Sequence, residues 1–174
     1  MTTHVAVLMG GWSSEREVSL SSGKACATAL RIAGYRVSEI DVDRDIANIL
    51  AKTRPDICFN ALHGAMGEDG NIQGLLNIMG IPYTHSGVQA SALAIDKVRA
   101  KELFSKAGLK CPKGSVETKN DLRFMKTYST TFVIKPIDQG SSVGVNIIKF
   151  GQNNVDQILK NWNFGDRFLV EEFI

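Results

Sequence analysis

Residues 63–70 read His-Gly-Ala-Met-Gly-Glu-Asp-Gly and follow directly on an apolar run at 57–62. An apolar strand that ends in glycine, imidazole and carboxylates is how an open parallel sheet presents reactive groups at its carboxyl edge. His63 and Glu68 are expected to form a hydrogen-bonded pair that holds a polar substrate, with Gly64, Gly67 and Gly70 letting the backbone approach it. The plainer alternative is a glycine-rich turn whose histidine caps a helix.

Three further constellations carry chemistry. Gly10-Gly11-Trp12-Ser13-Ser14-Glu15-Arg16-Glu17 closes a first strand and opens a first helix. Backbone N–H groups at that helix start suit an anion, but Glu15 stands in the same place and would repel one. An acid lining a strand-to-helix cleft suggests instead the capture of a cation such as an amino group. A capping box, with Ser14 as N-cap and Glu17 three residues on, explains Glu17 well and Glu15 poorly. Gln139-Gly140-Ser141-Ser142-Val143-Gly144 lies between two β-rich runs, with Lys135 ending the first. Such a loop aims N–H and O–H donors at a phosphate while the lysine supplies charge; a flexible hairpin turn is the alternative. Asp96 suits a helix N-cap, which puts Lys97 at the positive end of the macrodipole, where a cation is disfavoured by ~0.3–1 kcal/mol unless a polyanion binds there.

The elements that must position these residues alternate regularly. Strand-like runs at 5–9, 36–42 and 56–62 separate helical patterns at 15–33, 45–52 and 71–79, a βαβαβα order that predicts a parallel sheet with helices on both faces. Gly34, Gly80 and Gly108 supply stops after helices. From about residue 96 the pattern becomes α+β: a helix at 96–107, a short strand near Val116, a helical stretch at 120–128, a hairpin-like pair at 131–136 and 145–150, a helix at 154–162 and a last strand from Phe168. A boundary falls near 88–97.

Composition excludes several classes of function. With 174 residues, 44% hydrophobic side chains and a net charge of +2, the chain has the make-up of a soluble globular protein. Its 20 Lys and Arg against 18 Asp and Glu are scattered, with no basic run interleaved with aromatics, so nucleic acid is not an expected partner. Neither is a membrane, because the apolar run at 5–9 is too short for a signal or a span. Cys26, Cys58 and Cys111, odd in number and without CxxC spacing, fit reduced, mostly buried thiols in the cytoplasm.

The segments GGWSSEREVSLSSG (10–23), ALHGAMGEDGNIQG (61–74), YTHSGVQASALAIDKVRAK (83–101) and FVIKPIDQGSSVGV (132–145), in that order and spacing, resemble the bacterial D-alanine:D-alanine ligases. The resemblance runs almost end to end. It implies a Rossmann-like (pre-ATP-grasp) parallel-sheet domain over 1–96, then the first α+β subdomain of an ATP-grasp fold over 97–174, truncated at its C-terminus. The implied reaction is ATP-dependent. One D-alanine carboxylate is phosphorylated, the amine of a second D-alanine attacks the acyl phosphate, and the dipeptide leaves for peptidoglycan synthesis.

Carried over by position, Glu15 is similar to the acid that holds the ammonium of the first D-alanine; Val18 would lie near its methyl group, and His63 with Glu68 would shape the same subsite. Ser141 resembles a serine that joins Glu15 in a hydrogen-bonded network, and Ser142 one that covers the γ-phosphate. Lys97 and Lys135 match two lysines on the ATP phosphates, Glu171 an acid beside the adenine amine, and the backbone around Glu172 to Ile174 the stretch that contacts the ring. Gln139 stands at an often acidic position, Trp12 replaces a smaller residue, and Glu172 stands where a lysine is frequent. Family members continue for on the order of ~100 further residues. After the glycine loop the only acids are Asp156, Asp166, Glu171 and Glu172, so the ligands for Mg2+ (or Mn2+) are expected beyond Ile174, and the chain is expected to be a fragment, inactive alone. When full length it is expected to be a cytoplasmic homodimer. Two other readings remain: a non-catalytic module that binds D-alanine or nucleotide, and a nicotinamide-dependent oxidoreductase with Asp41 or Asp43 on the ribose, against which the missing GxGxxG counts.

Overall fold

In a computed structural model, residues 2–119, 130–152 and 154–174 are described; the helical stretch expected over 120–128 lies outside them. The chain divides into two compact units, 1–94 and 95–174.

The first unit is built on β1 (His4–Gly10), whose seven residues are all buried. It lies between two parallel neighbours, β2 (Arg36–Val42) and β3 (Ile57–Asn60), in the order β2-β1-β3. A central parallel strand covered on both faces reads as a continuous apolar run, and alternate residues of β1 serve two cores. Ala6 and Leu8 pack with Ile46 and Leu50 of α2 (Ile46–Thr53) and Ile72 and Leu76 of α3 (Asn71–Met79). Val5, Val7 and Met9 pack with Ala27, Leu20 and Leu30 of α1 (Arg16–Ile32). Helices therefore cover both faces, as the alternation predicts. Gly23 is where α1 crosses the sheet most closely: a Cβ there would come within 2.5 Å of Met9 Cβ.

β2 and α3 keep their expected bounds, whereas β3 is shorter than the run at 56–62. One element was not foreseen, α4 (Val88–Ile95), and only its Ser91 is buried. Its sequence, VQASALAI, has apolar residues at nearly every position, so there is no helical period to read. Among the described residues no helix is long and apolar enough to cross a membrane.

The second unit opens with α5 (Lys97–Lys106) and centres on an antiparallel sheet in the order β4-β7-β5-β6, formed by β4 (Gly114–Thr118), β5 (Phe132–Lys135), β6 (Asn146–Ile148) and β7 (Arg167–Glu172). β5 and β6 pair as the expected hairpin. The last strand inserts between β4 and β5. Phe132 and Ile134 of β5, Phe168 and Val170 of β7, and Ile148 of β6 meet Val155 and Leu159 of α6 (Val155–Lys160) and Trp162 in one core. Trp162 packs edge-on against Phe164 and Phe168, with ring centroids 5.1 and 5.4 Å apart. Because side chains alternate along a strand, Lys135 and Glu171 fall on the sheet face opposite this core.

Candidate functional site

The first cluster gathers where β1 and β3 end. Gly10 and Gly11 both turn through positive φ, at 78° and 76°. The chain then enters α1 without the capping box weighed as the plainer alternative: Glu15, not Ser14, is the N-cap residue, and it makes no side-chain cap bond. Ser13 takes over locally. Its Oγ accepts from Glu15 N at 3.1 Å and donates to His63 O at 2.7 Å, joining the two loops. Ser19 does the same deeper in the unit, accepting from Gly10 N at 2.9 Å and donating to Ala61 O at 2.7 Å.

Glu15 itself is 4% exposed, and among the described residues neither carboxylate oxygen has a hydrogen-bond partner. A buried carboxylate without a donor is costly unless something supplies one. The 63–70 loop makes room beside it. Gly64, at φ +67°, lies so close that a Cβ there would stand 3.2 Å from Glu15 Oε1. Val18, one helical turn on, is 54% exposed.

His63 and Glu68 do come together, but not through the expected hydrogen bond: Nδ1 and Oε1 are 3.8 Å apart. The other Glu68 oxygen accepts from Gly64 N at 3.0 Å, and His63 Nε2 lies 3.2 Å from Ser22 Oγ. Glu68 thus closes its own loop, while the imidazole rests on α1. Beneath them, the Gly67 carbonyl accepts from Asn60 Nδ2 at 2.9 Å and Gln73 Nε2 at 2.8 Å, which pins the loop to β3 and α3. The sequence reading missed Ser13, Ser19, Ser22, Asn60 and Gln73. For Ser19, Asn60 and Gln73 the available signal was a polar residue at a buried helix or strand position that would otherwise be apolar.

Asp41 is held by Arg16 through two hydrogen bonds of 2.7 and 2.5 Å. That contact outweighs burial, which pulls the other way, and keeps its carboxyl below the usual carboxylate range. Asp43 accepts from Asp45 N at 2.8 Å. Both acids are therefore engaged in local structure, which counts against their service on a ribose. Of the cysteines, only Cys58 is buried, and burial pushes its thiol up to about 12; Cys26 and Cys111 are half-buried, contrary to the expectation of mostly buried thiols.

The second cluster belongs to the other unit. Asp96 is the N-cap of α5, accepting from Val98 N at 3.0 Å and Arg99 N at 3.1 Å, so Lys97 is the first helical residue, as expected. Lys97 grips the base of the glycine loop: its backbone N donates to Ile137 O at 3.0 Å, and its Nζ donates to Gln139 O. Burial first, then the neighbouring Lys135, hold its ammonium below the usual lysine range, against the opposing pull of Asp138, Glu171 and Asp96. In the loop, Ser141 and Ser142 are exposed and take left-handed backbone at φ 47° and 61°. That conformation costs a non-glycine residue roughly 1–2 kcal/mol, and strain of this kind gathers at ligand clamps.

Glu171, 2% exposed, sits between Lys101 Nζ on one oxygen and Lys135 Nζ on the other. Glu172 faces differently: its Oε1 accepts from Lys113 N at 2.8 Å and its backbone N donates to Lys113 O at 2.9 Å. Lys101 is the residue here that sequence reasoning missed. Among the described residues no three His, Cys, Asp or Glu side chains stand together as a metal site would require.

A helix-covered parallel sheet followed by an antiparallel α+β unit, with lysines and a serine–glycine loop on one side, is a Rossmann-like unit joined to one of ATP-grasp type. Solved structures of that architecture match closely. The D-alanine–D-alanine ligase of Bacillus anthracis superposes with a TM-score of 0.85 at 31% identity, over 99% of this chain and 58% of that one. The same enzyme complexed with ATP gives 0.83 at 27% identity, over 99% and 59%. In sequence, the D-alanine–D-alanine ligase of Methylobacterium radiotolerans is 53% identical over all of this chain and 57% of its own length, and that of Sinorhizobium fredii 53% over 98% and 56%. Residues 46–86 match the family model described as D-ala D-ala ligase N-terminus. The resemblance carried by the four motifs therefore stands: in sequence and fold the chain is similar to the D-alanine:D-alanine ligases, and it spans about 57% of the curated relatives it matches.

Proposed function

We propose that the whole protein is an ATP-dependent D-alanine:D-alanine ligase, and that this chain supplies its first D-alanine subsite and part of its nucleotide site. The observation that carries the reading is Glu15, a buried carboxylate with no donor on either oxygen among the described residues. An ammonium group fills such a place better than any neutral ligand, because a charge-assisted hydrogen bond is worth about 1.5–3 kcal/mol.

In this reading, residues 1–96 form the amino-terminal ligase domain and 97–174 the first ATP-grasp subdomain. Glu15 takes the ammonium of the first D-alanine and so turns its carboxylate outward, with Val18, His63 and Glu68 walling the subsite. Lys97 and Lys135 neutralise the nucleotide phosphates. Ser141 and Ser142 present hydroxyl and N–H donors to the transferring phosphoryl group, whose charge the site must spread. Glu171 accepts from the adenine amine, and the backbone at Glu172 borders the ring.

The carboxylate oxygen attacks the γ-phosphorus, the bond to ADP breaks, and the second D-alanine amine displaces phosphate from the acyl phosphate. The described residues offer no ligand set for Mg2+ or Mn2+, and no step above runs through a metal. The reading also carries a cytoplasmic homodimer working for peptidoglycan synthesis. Its test is D-alanine-dependent release of ADP by the whole protein, with one dipeptide formed per ADP. Glu15→Gln should raise KM for the first D-alanine by about 10–100-fold. ATP turnover indifferent to D-alanine would refute it.

A further inference from the structure

The sheet face opposite the second core holds one acid between two bases, and the two bases are held differently. Glu171 is 2% exposed, and its two oxygens meet Lys101 Nζ and Lys135 Nζ. Lys101 has a second anchor, donating to Pro112 O at 2.7 Å. Lys135, at the end of β5, has no second hydrogen bond on its Nζ among the described residues, and its charge is close enough to bear on the ammonium of Lys97.

We propose that Lys101 is the resident counter-ion of Glu171, a positioning residue that leaves Lys135 able to turn from the acid to a nucleotide phosphate. This rests on the nucleotide reading above. A carboxylate this deeply buried does not release its sole cation, because an uncompensated charge in the interior is strongly unfavourable. With two cations, one is dispensable. The geometry says which: Lys101 is tied to Pro112 as well, while Lys135 has Glu171 alone among the described residues. Without Lys101, Lys135 is trapped on the acid and is lost to the phosphates.

The experiment is a calorimetric titration of the whole protein with ATP and, separately, with adenosine, which offers no phosphate. Lys101→Met should weaken ATP by about tenfold or more and adenosine much less, so the ratio of the two affinities falls. Lys101→Arg, which keeps the charge, should hold the wild-type ratio. The double variant Lys101→Met with Glu171→Gln should restore most of the ratio, since no buried charge then retains Lys135 and a glutamine oxygen still accepts from adenine. An unchanged ratio in Lys101→Met, equal weakening of both ligands, or no recovery in the double variant overturns the proposal. Failure of the wild-type protein to bind ATP overturns the nucleotide reading itself.

Discussion

The two units each bury one glutamate, and they treat it in opposite ways. Glu171 is enclosed with two lysines on its oxygens. Glu15 is enclosed with nothing on either oxygen among the described residues. Both are almost fully buried, at 2% and 4% exposure, so depth alone does not separate them. The difference is whether the fold itself supplies a counter-charge: it does for Glu171, and among the described residues it does not for Glu15. A paired buried acid is part of the scaffold. An unpaired one carries an uncompensated desolvation cost, which the proposed reading of Glu15 offsets with the ammonium of a substrate.

This contrast makes substitutions at the two sites differ in sign. Glu171→Gln leaves two lysines facing a neutral amide and should destabilise the protein by about 3 kcal/mol, the lower end for a broken buried pair because the lysines are partly exposed. Urea denaturation measures it; an unchanged midpoint would show the pairing contributes nothing. Glu15→Gln should stabilise the ligand-free protein by roughly 1–3 kcal/mol while weakening D-alanine, since it removes a buried charge without a partner. A loss of stability there would mean the carboxylate has a structural partner.

Gly64→Ala adds strain at φ +67° and crowds Glu15 Oε1 at 3.2 Å. It should cost about 1–2 kcal/mol of stability and impair D-alanine binding more than nucleotide binding, which paired titrations read.

The smallest effect is one of pH. Lys97 is held below its usual range, so between that lowered value and about 10.4 the folded state binds fewer protons than the unfolded one. Stability of the nucleotide-free protein should therefore rise with pH across that window, and Lys97→Met should flatten the rise. A slope of the opposite sign in melting temperature against pH would contradict the placement of Lys97.

Much of this was legible in the sequence, for identifiable reasons. Strict alternation of apolar runs and helical periods located β2 and α3 to the residue and gave the parallel sheet. The Asp96 N-cap, and with it the position of Lys97, followed from residue type alone. The order of the second sheet was not legible, because β7 inserts between strands far from it in sequence. The capping box offered as the alternative for Ser14 and Glu17 does not form, because Ser13 bonds to Glu15 N and to the His63 carbonyl, a tertiary contact that overrides the local pattern. The His63–Glu68 bond failed for a similar reason: the backbone N of Gly64 takes one Glu68 oxygen, and Ser22 faces the imidazole. Charge pairing across elements, Lys101 with Glu171 above all, leaves no mark in a single sequence.

The central claim is that Glu15 waits for an ammonium group. Its most direct test is the melting temperature of the whole protein titrated with D-alanine and, in parallel, with N-acetyl-D-alanine, which keeps the methyl and carboxylate but carries no positive charge. D-alanine should raise the melting temperature in a saturable way, by mass action on the folded state; the acetylated compound should not, and Glu15→Gln should abolish the difference. Equal stabilisation by both compounds would show that no ammonium is recognised there, and the assignment of Glu15 would be wrong.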